Sequence, residues 1–88
     1  MTPPTIRNVR TEGDRLIFEL DDERQVSLPI AMSRRLSQAT AQQRDHWTIG
    51  PKGLFVHWPG IDEDIAIWDV LGIREDAYLA AFDAVPVV

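Results

Sequence analysis

Chemistry in this chain would have to begin at a histidine with acids close behind it. His57 precedes Asp62 and Asp64 within one short stretch. An imidazole with two carboxylates can ligate a metal ion or move a proton. The surroundings that such work needs are missing from the sequence. No second histidine lies nearby, His46 being the other one, and no glycine-rich phosphate loop is present. A motif without its context is weak evidence. His57 sits in an alternating run beside Trp58 and reads as a strand-face histidine; His46 reads the same way. Asp62-Glu63-Asp64 lacks the spaced oxygens and glycine turn of a calcium loop. It reads as a cap or turn, as a solvated acidic loop, or as a surface that a partner recognises. Ser27, Ser33 and Ser37 have no nucleophile-elbow context. Cysteine is absent, which removes disulfides, a thiol nucleophile and Cys-ligated metals. A protein without catalytic residues, metal or cofactor is expected.

The remaining candidates are contact residues. Trp47, Trp58 and Trp68 each bring a large apolar surface. Core and sheet packing is their first reading, and Trp68 is the one expected at an exposed patch, where tryptophan favours binding. Arg34, Arg35 and Arg44 form a small basic group that could touch an anion, although the charge pattern reads first as a solvated helix face. The formal net charge is −5. Residues 1–52 hold eight basic and seven acidic side chains, whereas 53–88 hold Arg74 against seven acids. Non-specific nucleic-acid binding wants the opposite sign. The same acidic stretch would permit a decoy for a basic nucleic-acid groove.

These residues need elements to position them. With 88 residues, 44% hydrophobic and 26% charged, the chain is one globular domain over 1–88 with room for only a modest core. Period-2 alternation at Leu16, Phe18 and Leu20 is the clearest strand signal. With weaker runs on either side it predicts a three-stranded antiparallel meander over 5–11, 15–21 and 24–28, with turns at Gly13 and at 21–23. Pro29 ends the third strand and can open a helix over 30–37. Thr40-Ala41-Gln42-Gln43 fits a capping box and starts a second short helix, to about Asp45. Gly50-Pro51-Lys52-Gly53 is a turn signal, so 46–58 reads as a hairpin. Residues 61–68 fit strand and helix equally. A short turn or helix at 69–71 is stopped by Gly72. Tyr78, Leu79 and Phe82 fall at helical spacing over 74–84. The expected fold is α+β: a small, mostly antiparallel sheet of meander plus hairpin, two short helices and a C-terminal helix.

The order of these pieces resembles a known family. Leu28-Pro29 closes the meander, then Arg34-Arg35-Leu36, Ala39-Thr40 and Gln43-Arg44 follow. Trp47-Thr48-Ile49-Gly50 comes next, then His57-Trp58-Pro59-Gly60-Ile61-Asp62-Glu63-Asp64-Ile65. This is similar to the domain-of-unknown-function 2442 family of small bacterial proteins, over roughly residues 5–72. The resemblance implies a small α+β domain with an antiparallel sheet. Some members carry a helix-turn-helix domain behind it, and others are proposed antitoxins of a small companion protein. It carries over no catalytic residue. Two departures stand out. The turn at Asp21-Asp22-Glu23 lacks the glycine common there, and residues 73–88 are an extension too short for a helix-turn-helix domain.

The function expected is therefore a non-enzymatic, antitoxin-like or regulatory protein-binding module. Its partner would be a small, basic companion, met through Asp62, Glu63, Asp64 and Trp68. Homodimerisation would use Tyr78, Leu79 and Phe82. The competing readings are a DNA-associated regulator with Arg34, Arg35 and Arg44 on phosphates, and an acidic nucleic-acid mimic. No apolar run reaches the length of a bilayer span. Met1-Thr2-Pro3-Pro4 does not open a secretory leader, so a cytoplasmic location is expected.

Overall fold

The computed structural model describes residues 3–83 and shows an α+β fold built on two three-stranded antiparallel sheets. The first sheet is the expected meander: β1 (Ile6–Glu12), β2 (Arg15–Leu20) and β3 (Gln25–Pro29), in that spatial order. Strict alternation fails in β1, where Ile6 and Val9 are both buried. The reason is a bulge. Ile6 pairs with Leu20 but Asn8 pairs with Glu19, and the slip turns both side chains to the core. The β2–β3 turn, which lacks the usual glycine, places Glu23 at φ 74. A left-handed residue with a Cβ costs about 1–2 kcal/mol.

The segment after Pro29 is not one helix. A 3-10 turn over Ile30–Met32 ends at Ser33, whose hydroxyl accepts from the Leu36 amide and starts α1 (Arg34–Ser37) afresh. Thr40 and Gln43 make the expected reciprocal capping box ahead of α2 (Ala41–Arg44). The hairpin forms as β4 (Thr48–Ile49) and β5 (Phe55–Trp58). A third strand, β6 (Glu63–Ala66), extends it into a sheet of its own. The ambiguous stretch is thus half strand and half helix, since α3 (Ile67–Leu71) follows at once. The switch is marked by the Ala66 amide, which donates to the Asp69 carboxylate (3.4 Å); Ala66 has no side-chain acceptor to return the bond. Gly72 at φ 70 closes α3, and α4 (Glu75–Asp83) follows.

One core joins the sheets. Leu16, Phe18 and Leu20 come from the first sheet, and Val56, Trp58 and Ile65 from the second. Leu36, Ile67 and Val70 cover them from the helices. The sheets approach so closely at Gly53 that a Cβ there would sit 2.8 Å from the Ile6 carbonyl oxygen. Tyr78 is part of this core and not a dimer anchor: it is 1% exposed, and its hydroxyl donates to the Pro4 carbonyl (2.7 Å). Burial, helped by the charge of Asp21, pushes the Tyr78 phenol above its ordinary value. Leu79 packs partly against the core, and the Phe82 side chain lies outside the described residues.

Two measurements check this account. Glu23→Gly relieves the left-handed strain, less the added freedom of the unfolded glycine, and should stabilise the protein by about 0.5–1 kcal/mol in urea titrations. Tyr78→Phe should cost about 0.5–1.5 kcal/mol at neutral pH through the lost bond to Pro4. A raised phenol contributes stability that is complete below the unfolded value and lost as pH rises through the folded one. Wild type should therefore lose stability above pH 10.0, the ordinary tyrosine value, by more than Tyr78→Phe does.

Candidate functional site

The His57–Ile65 string and the arginines upstream of it meet in space. Trp58 has no exposed surface, and its indole Nε1 donates to the Arg44 carbonyl (3.0 Å). The Arg44 guanidinium in turn donates to the carbonyls of Leu36 (2.9 Å) and Ser37 (3.1 Å), closing the C-terminal end of α1. Glu63, opposite Trp58 in the β5–β6 ladder, accepts from the Ser33 hydroxyl (2.5 Å). Arg35 donates to the Asp62 carbonyl and lies 3.8 Å from its carboxylate. Asp62 itself is left-handed, at φ 53. These links clasp the 33–44 segment to the β5–β6 turn.

The clasp gives most of these side chains contacts within the chain. Asp62, Glu63 and Asp64 are not one acidic surface. Asp62 faces Arg35, Glu63 is half-buried against Ser33, and Asp64 reaches His57. Arg34, Arg35 and Arg44 are not one basic patch either. Arg44 is a helix cap and Arg35 is engaged by Asp62, while Arg34 is exposed. The tryptophans pack as expected: Trp58 lies fully inside, and Trp47 and Trp68 are half-buried against the core.

What the second sheet presents outward is a different set. Side chains alternate along β5, so Val56 and Trp58 point inward and Phe55 and His57 outward. The register then aligns Thr48, His57 and Asp64 across three strands. His57 Nδ1 lies 2.6 Å from Asp64 Oδ1, within hydrogen-bond distance. Beside this polar row, Phe55 meets Trp68 edge to face, with ring centroids 5.1 Å apart. Trp68 also leans on Tyr78 at 5.9 Å. The Ile73 amide returns to the Trp68 carbonyl (3.0 Å), the six-to-one bond of a Schellman motif. Phe55 is 37% exposed and Ile73 46%. Of the expected residues, the structure brings Asp64 and Trp68 to the edges of this face. Phe55 and Thr48 were missed, although the phase of the alternation around the buried Trp58 was enough to find Phe55.

The His57–Asp64 pair lies on an open face. Two open depressions lie elsewhere among the described residues, about 230 Å³ beside Gln42, His46 and Pro59 and about 270 Å³ beside Asp14, Ile30 and Arg44. Among the described residues, no group of three or more His, Cys, Asp or Glu side chains is gathered to hold a metal ion. Among them, too, no helix is long and apolar enough to cross a membrane.

Residues 6–73 match the family described as Protein of unknown function (DUF2442), and the chain belongs to it. A protein of unknown function from Rhodospirillum rubrum has a similar crystal structure, with TM-score 0.71 and 21% identity over 88% of this chain and 99% of that one. The solution structure of an uncharacterised Chromobacterium violaceum protein is also similar, with TM-score 0.67 and 21% identity over 93% of this chain and 79% of that one. At that identity the likeness is one of fold. No curated protein matches the sequence significantly.

The clasp and the outward acids separate in stability measurements. Glu63→Ala removes a charge-assisted bond to a buried hydroxyl and should cost about 1.5–3 kcal/mol in chemical denaturation. Asp62→Asn keeps a side chain that tolerates the left-handed backbone and should change stability by no more than about 0.5 kcal/mol.

Proposed function

We propose that this member of the DUF2442 family is a non-enzymatic protein-binding module of the cytoplasm, an antitoxin-like or regulatory partner of a small companion protein. It meets that companion with the outer face of the β4–β5–β6 sheet. The observation that supports this reading is the Phe55–Trp68 pair, two rings in edge contact that leave Phe55 37% exposed. Ordered aromatic side chains at the surface serve as anchors, because little freedom is lost when they are covered. Thr48, His57 and Asp64 supply polar groups beside them, as the rim of an interface does.

The companion is basic. Residues 53–88 hold Arg74 against seven acids, and one of these, Asp64, lies on this face beside His57. Charge of one sign steers an oppositely charged partner and suppresses wrong ones. A lysine or arginine of the companion would lie on the Phe55 or Trp68 ring, the arrangement in which a cation gains from an aromatic face. The arginines argue against duplex DNA as the partner. Arg44 and Arg35 are engaged within the chain, so phosphate contacts would fall to Arg34.

The test uses the tagged protein and its Phe55→Ala variant as baits in lysate of the native host, read by mass spectrometry. Wild type should recover one small basic protein at near-equal stoichiometry. Phe55→Ala, with an unchanged far-ultraviolet spectrum, should weaken that complex by tenfold or more, the loss typical of an anchor residue. Equal recovery by both baits overturns the assignment of the face. Wild type that recovers no other protein overturns the companion itself.

A further inference from the structure

Side-chain groups occupy several backbone positions along the free edges of both sheets. A strand at a sheet edge offers unpaired amides and carbonyls to any other chain, and proteins blunt such edges in a few recognisable ways. The direction of each backbone group follows from the ladder. Ile30 donates to the Asp14 carbonyl (2.8 Å) and Leu20 to the Arg24 carbonyl (2.9 Å). Antiparallel pairs alternate between bonded and non-bonded. The β3 residues that face outward are therefore Gln25, Ser27 and Pro29. Pro29 has no N–H to offer. The Ser27 carbonyl is occupied by Arg15, whose Nη2 donates to it (3.0 Å) while its Nε donates to the Ser27 hydroxyl (2.8 Å). Arg15 reaches this position from the neighbouring strand, across the face of the sheet.

The other edges are treated differently but to the same end. In the second sheet Ile67 donates to the Leu54 carbonyl (2.8 Å), which leaves the Asp64 and Ala66 amides of β6 facing outward. Both are taken by carboxylates, Asp64 by Glu63 (3.0 Å) and Ala66 by Asp69 (3.4 Å). β4 is two residues long, and β1 carries its bulge. Short edge strands and bulges are established ways of refusing a partner strand.

We propose that both sheets are closed to strand addition and that Arg15 is the plug on β3, so that this protein associates by its faces and a second copy is kept from adding at β3. The inference rests on backbone hydrogen bonding and stands apart from the companion-protein reading. Its test is the mass in solution of Arg15→Ala and of Arg15→Ala with Pro29→Val, by sedimentation equilibrium over a wide concentration range. Both substituted side chains are exposed. Arg34→Ala, which removes one positive charge from another exposed position, is the control.

The double variant should at least double its mass relative to wild type. Its Gln25 and Ser27 amides should exchange more slowly with solvent than they do in wild type, and Arg34→Ala should keep the wild-type mass. A folded double variant with wild-type mass at every concentration overturns the proposal. So does association without protection of the Gln25 and Ser27 amides, because the copies would then be meeting elsewhere. If the double variant does not fold, Arg15→Ala alone decides by the same two readouts.

Discussion

The indole N–H of Trp58 sets the terms for much of this structure. A tryptophan buried to this degree loses its water, and its single donor must find an acceptor inside the protein. The acceptor is the Arg44 carbonyl at the end of α2. That bond fixes where α2 lies over the second sheet. The side chain of the same arginine then reaches back to close α1. Helices of four residues are far too short to persist alone in water. Here both are held from outside, by one buried ring and one arginine that works through its backbone and its side chain at once.

The clasp explains why sequence motifs misled in their roles while marking the right places. The acids at 62–64 and the arginines at 35 and 44 look like surface charges in a linear reading. In the folded chain, Glu63 and Asp62 serve partners some thirty residues away. Local patterning carries no trace of such pairings. What it does carry is visible: the phase of β2, the capping box at Thr40, the glycine stop at Gly72. The switch from β6 to α3 was not legible, because Ile61, Ile65 and Trp68 fit a helical period while Ile65 and Ile67 fit a strand, and ladder pairing with β5 decides between them. Tyr78 was assigned to the right helix and the wrong side of it. Its fate depended on Pro4, at the other end of the chain.

A second lesson concerns where the outward chemistry sits. The residues most specific to the family resemblance are largely consumed in holding the domain together. The face left open to the surroundings is built from the alternate positions of the same strands, Phe55 and His57 lying between the buried Val56 and Trp58. A strand exposes one side because it buries the other. The inward set fixes the scaffold, and the outward set can vary in chemistry without disturbing the core.

The bond between the Tyr78 hydroxyl and the Pro4 carbonyl joins residues 74 positions apart. During synthesis β1 emerges well before α4, so this contact can form only late. The Trp58 clasp has all its parts once residue 64 has emerged, so it can assemble on a chain still being made. β1 can pair with β2 early, but the Pro4 carbonyl must wait for α4. Nascent chains halted between those two points would hold a formed clasp and a first strand that is paired to β2 but not yet tied to α4.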